Sequence, residues 1–402
     1  MTDHPETPGE AYPGTMPCHS CDHDVPAGRF CARCGAQLSA VRGDGPRWLR
    51  IRDYAAAPGE NVLQPSIVSS VFPYLSNRSS GAFRVLVWLV LATLVVLCAF
   101  QLEVAMVAAA TFAPPLLFLV YLKETGVIGD LLWRVWVPTF AVGIGVGAAW
   151  ALWTNGIVAE SYSLGLGVEV PTARLVLDAL IIPFGGLFAL QLPAVLIWVS
   201  RPPRRDSLYG FAVGALGGTM FAVGATVVRL VSQIGRGEQA NDQPVADMLL
   251  EAGIRGVTMP LMAVSIGGLI GAALWYRSAD GQGRRGVWTA IVVGSLAAPA
   301  VYACVGLVDV LRITPYLQFV VHAAIALVAV LALRTGLQLA MLHEIHEPTD
   351  AEQPILCADC GHVVPDMAFC PACGVASQAA SRASRAARRQ DRPQPSDEQV
   401  GR

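Results

Sequence analysis

The sequence predicts an all-α polytopic membrane bundle of about eight transmembrane helices, with a small metal-clipped β-hairpin at each end. Three observations carry this reading. Of 402 residues, 54% are hydrophobic and only 14% charged, well to the apolar side of a soluble domain. The apolar residues gather into windows long enough to cross a hydrocarbon layer of about 30 Å, near 83–101, 103–122, 131–153, 175–199, 208–231, 254–276, 287–311 and 315–342. Eight of the ten cysteines fall in four CxxC pairs outside those windows, in two stretches that nearly repeat each other, CHSCDHDVPAGRFCARCG and CADCGHVVPDMAFCPACG.

The first two windows are separated only by Gln101, Leu102 and Glu103, which implies a tight hairpin, and Pro114 and Pro115 predict a kink or break in the second. Lys123 is the only lysine, so positive charge means arginine. With the N-terminus inside, the cytosolic loops hold SRPPRRD and YRSADGQGRR, while Glu238, Asp242, Asp247 and Glu251 collect outside. That is the sense of the positive-inside rule. No basic segment followed by a short apolar run precedes residue 80, so no cleavable signal is expected. An even span count returns the C-terminus to the cytosol, and the lipid bilayer expected around the core is the inner cell membrane. A net charge of −2 provides no basic field for nucleic acid.

Each cysteine stretch has the spacing C-x2-C-x9-C-x2-C: Cys18, Cys21, Cys31 and Cys34 in one, Cys357, Cys360, Cys370 and Cys373 in the other. A CxxC turn lets two sulfurs converge on one ion, and nine residues suffice for a hairpin that brings the second turn opposite the first. The copies also share His23/His362, Val25/Val364, Pro26/Pro365, Phe30/Phe369 and Gly35/Gly374. VPAGRFCARCG and VPDMAFCPACG make each stretch similar to the small zinc-ribbon family, which implies one structural Zn2+ per stretch and two per chain. Four thiolates leave no open coordination position for a substrate water. In this reading Phe30 and Phe369 supply most of the core of their own ribbon, and the two histidines are surface residues. A reducing cytosol suits both sets, since thiolates stay available to metal there.

The expected organisation is an N-terminal ribbon over 14–38, a linker over 39–82, a membrane core over 83–342, a C-terminal ribbon over 353–377 and a disordered tail over 378–402. In the linker, PSIVSSVFPYL spaces Ile67, Val68, Val71, Phe72 and Leu75 as an interfacial helix would. Cys98 and Cys304 lie alone in apolar segments and read as packing residues.

Polar groups at mid-bilayer mark intramembrane chemistry because they are costly there, and the core offers few: Asp178, Gln191 and His322. No HExxH or GxSxG occurs. Over residues 175–276, IIPFGGLFALQLPAVLIWV, the helix beginning DSLYGFAVGALGG and RGVTMPLMAVSIGG follow the order of the PrsW-type intramembrane metalloproteases, which the segment resembles at Pro183, Gly210, Gly214, Arg255 and Pro260. The resemblance implies their helical scaffold. Where that family carries its Glu-Glu pair, this chain has Gly185 and Gly186; Ala189, Phe221 and Met262 fall where the family has a Lys, a later Glu and a His. None of these side chains binds metal or activates water, so no catalytic residues are expected.

The expectation is therefore a noncatalytic interaction or regulatory protein on a degenerate PrsW-like core, meeting a cytosolic protein partner through its ribbons. Two alternatives stay open. A divergent intramembrane metalloprotease would need Asp178, Glu103 and His322 brought together, and a small-solute transporter or channel would need Asp178, Gln191 and His322 around a midplane cavity.

Overall fold

The computed structural model of the chain describes residues 14–19, 21–38, 55–57, 60–61, 80–100, 102–124, 133–163, 172–200, 206–235, 249–250, 252–277, 314–344, 350–377, 380 and 382–393. The chain divides into two compact units, one of 82–122 and 131–344, the other of 1–81, 123–130 and 345–402.

The larger unit is helical: α1 (Ser80–Ala99), α2 (Glu103–Glu124), α3 (Trp133–Ser163), α4 (Thr172–Val199), α5 (Ser207–Gly235), α6 (Met259–Trp275) and α7 (Pro315–His343). Seven helices among the described residues are long and apolar enough to cross a membrane. They coincide with seven of the eight expected windows. The window at 287–311 lies outside the described residues, as do the interfacial segment 65–75, Cys304, most of both basic loops and most of the acidic loop. Helix α2 runs unbroken through Pro114 and Pro115, contrary to the expected interruption. At Pro260 the adjustment falls on the preceding turn: Ile254–Thr258 is a π-turn in which the Met259 N–H donates to the Ile254 carbonyl. A proline ring crowds the carbonyl four residues back, and a widened turn relieves this.

Without a hydrophobic drive between helices in lipid, association depends on close backbone approach. Helix α5 shows this on two sides. Gly210, Gly214 and Gly218 meet Gly271, Gly267 and Ala263 of α6 so closely that an added Cβ would strike backbone oxygens. On another side Gly143 and Gly147 of α3 meet Gly217, Met220 and Phe221, whereas Gly145 faces open space. These pairings also give directions. The α5–α6 contacts are antiparallel, α3 runs with α5, and Pro193 of α4 meets Gly217 of α5. Helix α7 then runs in the same direction as α6, since Phe319 packs at Gly253 and Gly336 at Leu269. Glu344, just past α7, accepts a 2.8 Å hydrogen bond from the Ser207 N–H and so caps α5.

Among its described residues the smaller unit holds three hairpins. Strands β1 (Thr15–Pro17) and β2 (Asp24–Pro26) pair antiparallel with Met16 opposite Val25; β3 (Ala55–Ala57) pairs with β4 (Glu60–Asn61); β5 (Pro354–Leu356) pairs with β6 (Val363–Pro365), Ile355 opposite Val364. The first and third are the same hairpin built twice. The segment expected to be a disordered tail contains α8 (Arg382–Gln390). Its reason is Asp366, which stands where the first ribbon has Ala27. This carboxylate is 1% exposed and accepts a two-pronged contact from Arg389 at 2.9 and 3.3 Å and a further one from Arg392 at 3.3 Å. Arg388 and Arg392 also donate to the Leu356 and Gln353 carbonyls.

Two outcomes follow from this packing. Gly214→Val should force α5 from α6 and lower stability by about 3 kcal/mol, read as an earlier thermal transition of the purified membrane protein. Asp366→Ala should remove about 3 kcal/mol of docking from α8 and accelerate hydrogen exchange in residues 382–390, with little change in the helical core.

Candidate metal centres

Each cysteine set is assembled by one hairpin. In the first, Cys18 follows β1, Cys21 closes the knuckle, and Cys31 and Cys34 come from the turn after β2. The knuckle needs a left-handed residue: Asp22 has φ 53° there, and Gly361 has φ 72° in the second copy. The Cys18 and Cys34 sulfurs lie 3.7 Å apart and those of Cys21 and Cys31 3.9 Å. Cys357 and Cys373 repeat the first distance, and Cys360 and Cys370 the second. A tetrahedral zinc at about 2.3 Å from each sulfur requires sulfur–sulfur edges of about 3.8 Å. Within each set all four sulfurs lie inside 4.8 Å. Each set can therefore hold one metal ion through four thiolates, and the ligands divide by ribbon rather than between ribbons.

Crowding splits the acidities of the thiols. The hydrogen bond from the Cys34 thiol, helped by the Cys34 and Arg33 backbone N–H groups, holds Cys31 down to about 5. Cys34, giving that hydrogen bond, is pushed far above the usual thiol range. In the second set Cys360 takes the low position through hydrogen bonds from Cys357, Cys370 and Cys373. Cys357 is also lowered, to about 7: its hydrogen bond with Cys360 raises it, and those from Cys370 and Cys373 outweigh that, while Cys370 and Cys373 are pushed up by the hydrogen bonds they give to Cys357 and Cys360. Metal uptake must take the protons from the raised thiols, so falling pH opposes it. His23 is turned away from the cluster, its Nδ1 donating to the Cys21 carbonyl.

Phe30 and Phe369 do not fill their own ribbons. The first ribbon's core is Cys18, Val25, Cys31, Ala36 and Leu38; the second's is Ile355, Cys357, Val364, Cys370 and Cys373. Each phenylalanine instead lies against the other ribbon. The Phe30 ring sits 2.8 Å from where a Cβ on Gly374 would stand, and the Phe369 ring 2.9 Å from that of Gly35. The backbones join as well. The Phe30 N–H donates to the Pro371 carbonyl at 3.0 Å, and its counterpart, the Phe369 N–H, donates to the Ala32 carbonyl at 2.9 Å. Ala32 and Pro371 are equivalent positions, so the two ribbons meet as near-equivalents about a local twofold. Gly35 and Gly374, at φ 74° and 77°, serve both as turns and as seats for the opposite ring.

In the helical unit the positions singled out by sequence divide. His322, Phe221, Met262, Pro183 and Gly186 line one cavity of about 210 Å³, with Arg229 among the walls. The Trp150 indole covers Gly185 and Gly186; nothing in the sequence marked Trp150. Gln191 is not in this wall. Asp178 and Glu103 lie within α4 and α2. Cys98 packs beside Met106.

No protein-family model matches the chain, nor does any curated protein or solved structure.

Cys31→Ser should reduce bound metal from two ions per chain to one, measured by elemental analysis of the purified protein. Phe369→Ala should keep both ions yet cost roughly 3 kcal/mol of contact between ribbons. Its distinguishing sign is faster hydrogen exchange at residues 28–35, in the ribbon that was not altered.

Proposed function

We propose that the chain is a noncatalytic membrane-anchored interaction protein whose two ribbons, each carrying one structural Zn2+, close into a single cytosolic module that a protein partner meets. The observation that carries this is the reciprocal seating of Phe30 on Gly374 and Phe369 on Gly35. Two matched clips serve one surface, and four thiolates per ion leave no place for a reacting water.

The pairing also bears on topology. Ribbons in contact lie on one side of the membrane, which requires an even number of crossings between them. Independently, two neighbouring spans that run in the same direction, as α6 and α7 do, require a return crossing in the chain between them. The segment we propose for it is the apolar sequence window at 287–311, outside the described residues, which would make eight. Arginine-rich SRPPRRD and YRSADGQGRR then face the cytosol together with both ribbons, and the expected compartment is the inner cell membrane.

The degenerate PrsW-like reading of the core is supported by the gathering of Gly186, Phe221, Met262 and Pro183 at one cavity. They come from three helices, α4, α5 and α6, and meet at this one cavity. The side chains there are apolar, and Trp150 occupies the space over the glycine pair. Metal-assisted hydrolysis needs ligands and a base, and these positions supply neither.

A photo-crosslinking residue replacing Phe30 in the full chain tests the module. The expected product is an intramolecular link to residues 371–374, lost on removal of zinc, with both ribbons labelled from the cytosolic side. Links between chains, or labelling from opposite sides, would overturn it. Metal-dependent peptide cleavage that survives loss of both ribbons and stops with His322→Ala would instead establish the protease.

A further inference from the structure

The two ribbons share one sulfur geometry but not one surrounding. In each set the close sulfur pairs lie 3.7 and 3.9 Å apart, so the ligands themselves do not separate the two centres. The charges around them do. The first ribbon carries Arg29 and Arg33 on its own turn, where the second has Ala368 and Ala372. Both of those arginines are exposed, and a charge held in water is screened. The second ribbon receives its arginines from α8 instead.

A surface helix ordinarily turns its charged face to water, and α8 does the reverse. Ala386, Ala387 and Gln390 are exposed, whereas Arg385 is buried and Arg388, Arg389 and Arg392 are half-buried. Asp366 accounts for two of these guanidiniums, pairing with Arg389 and Arg392. Arg388 is different. Its Nη1 donates to the Leu356 carbonyl at 3.1 Å and its Nε to the Ser384 carbonyl at 3.3 Å, and among the described residues no carboxylate forms an ion pair with it. Leu356 directly precedes Cys357. Burial draws the Arg388 guanidinium below its ordinary pKa, and the negative charge on Cys357 works against that. The anionic group facing Arg388 is therefore the thiolate cluster.

Four thiolates around one divalent ion leave a net negative charge, and groups that touch the ligands rather than the ion tune how firmly it is held. Release of the ion requires a proton or a competing ligand at sulfur. A guanidinium, which stays charged, fixed beside Cys357 and partly withdrawn from water, disfavours that proton. We infer that Arg388 is a positioning residue of the second metal centre, placing a fixed positive charge against the Cys357 thiolate so that the second ribbon keeps its ion longer than the first. Asp366 sets where this charge stands, since its pairing with Arg389 and Arg392 fixes the turn of α8 that carries Arg388. The first ribbon, with only solvated arginines, gives up its ion first, and the module then opens from the Gly35 side while the second ribbon stays folded. This rests on the reading that each set holds one structural Zn2+, and adds that the two ions are not equivalent.

The test loads the purified full chain with zinc, adds excess chelator, and follows thiol alkylation by peptide mapping, which reads residues 18–34 and 357–373 separately. The second set should become reactive about tenfold more slowly than the first. Arg388→Gln should speed the second set about tenfold and leave the first unchanged, while Arg388→Lys keeps most of the protection. Slow hydrogen exchange at residues 382–390 in Arg388→Gln shows that α8 is still docked, which separates the charge from the fold. Equal release from both sets of the unaltered protein would overturn the assignment. So would an Arg388→Gln chain that keeps α8 docked and the second set protected, one that loses protection only because α8 has come away, or an Arg33→Ala chain whose first set speeds up as much. Two ions per chain released together would sink this inference and leave the ribbon reading standing; a chain that takes up no metal would sink both.

Discussion

The convergence of four sulfurs on one point, made twice, is the constraint from which the smaller unit follows. The ribbon strands are three residues long, too short to hold a hairpin in water by pairing alone. A structural metal held by the four thiolates would supply on the order of 10 kcal/mol in so small a fold and fix the knuckles. The knuckles in turn place the contact between ribbons: Pro371 lies inside the second CxxC, and Gly35 and Gly374 directly follow the last ligand of each set. Shifting a sulfur therefore moves the seat of the opposite phenylalanine, so ligand geometry and ribbon pairing cannot vary separately.

The helical unit is governed by a different limit, how near two backbones can come. Helix α5 is wedged between α3 and α6 through glycines on two of its sides, which makes it the most enclosed of the candidate spans. Packing this tight has a cost in side-chain volume, and the space is recovered elsewhere. Along the α4–α5–α6 seam, where Gly186 and Ala225 stand, the walls part into the cavity. Trp150 occupies one border of that space and sets its shape.

Much of this was legible in the residues. CxxC pairs at fixed spacing identify ligands because the chemistry tolerates few other arrangements, and seven apolar windows became helices close to their expected limits. The destination of Phe30 and Phe369 was not legible, since a repeated motif reads identically whether its aromatic ring packs at home or across to its twin. Asp366 was the overlooked signal for α8: among matched positions it replaces Ala27, and an added carboxylate facing an arginine-rich tail is a docking instruction that composition alone reads as disorder. On α3, Gly143 and Gly147 are packed against α5 and Gly145 is not, a difference that glycine spacing alone does not reveal. Trp150 carries no motif; its role exists only because α3 lies beside Gly185 and Gly186.

The exchange of phenylalanines has a consequence in time. During synthesis Phe30 leaves the ribosome long before Gly374, its seat, exists. At about 5–20 residues per second, the first ribbon waits roughly 20 to 70 s with its ring uncovered, while the whole membrane core is threaded into lipid. The half of the module made first is thus the last to be finished, and only a chain whose core has been laid down in the correct sense can bring the missing half to the side where it is awaited. Closure of the ribbons therefore comes last and requires both ends of the chain on one side.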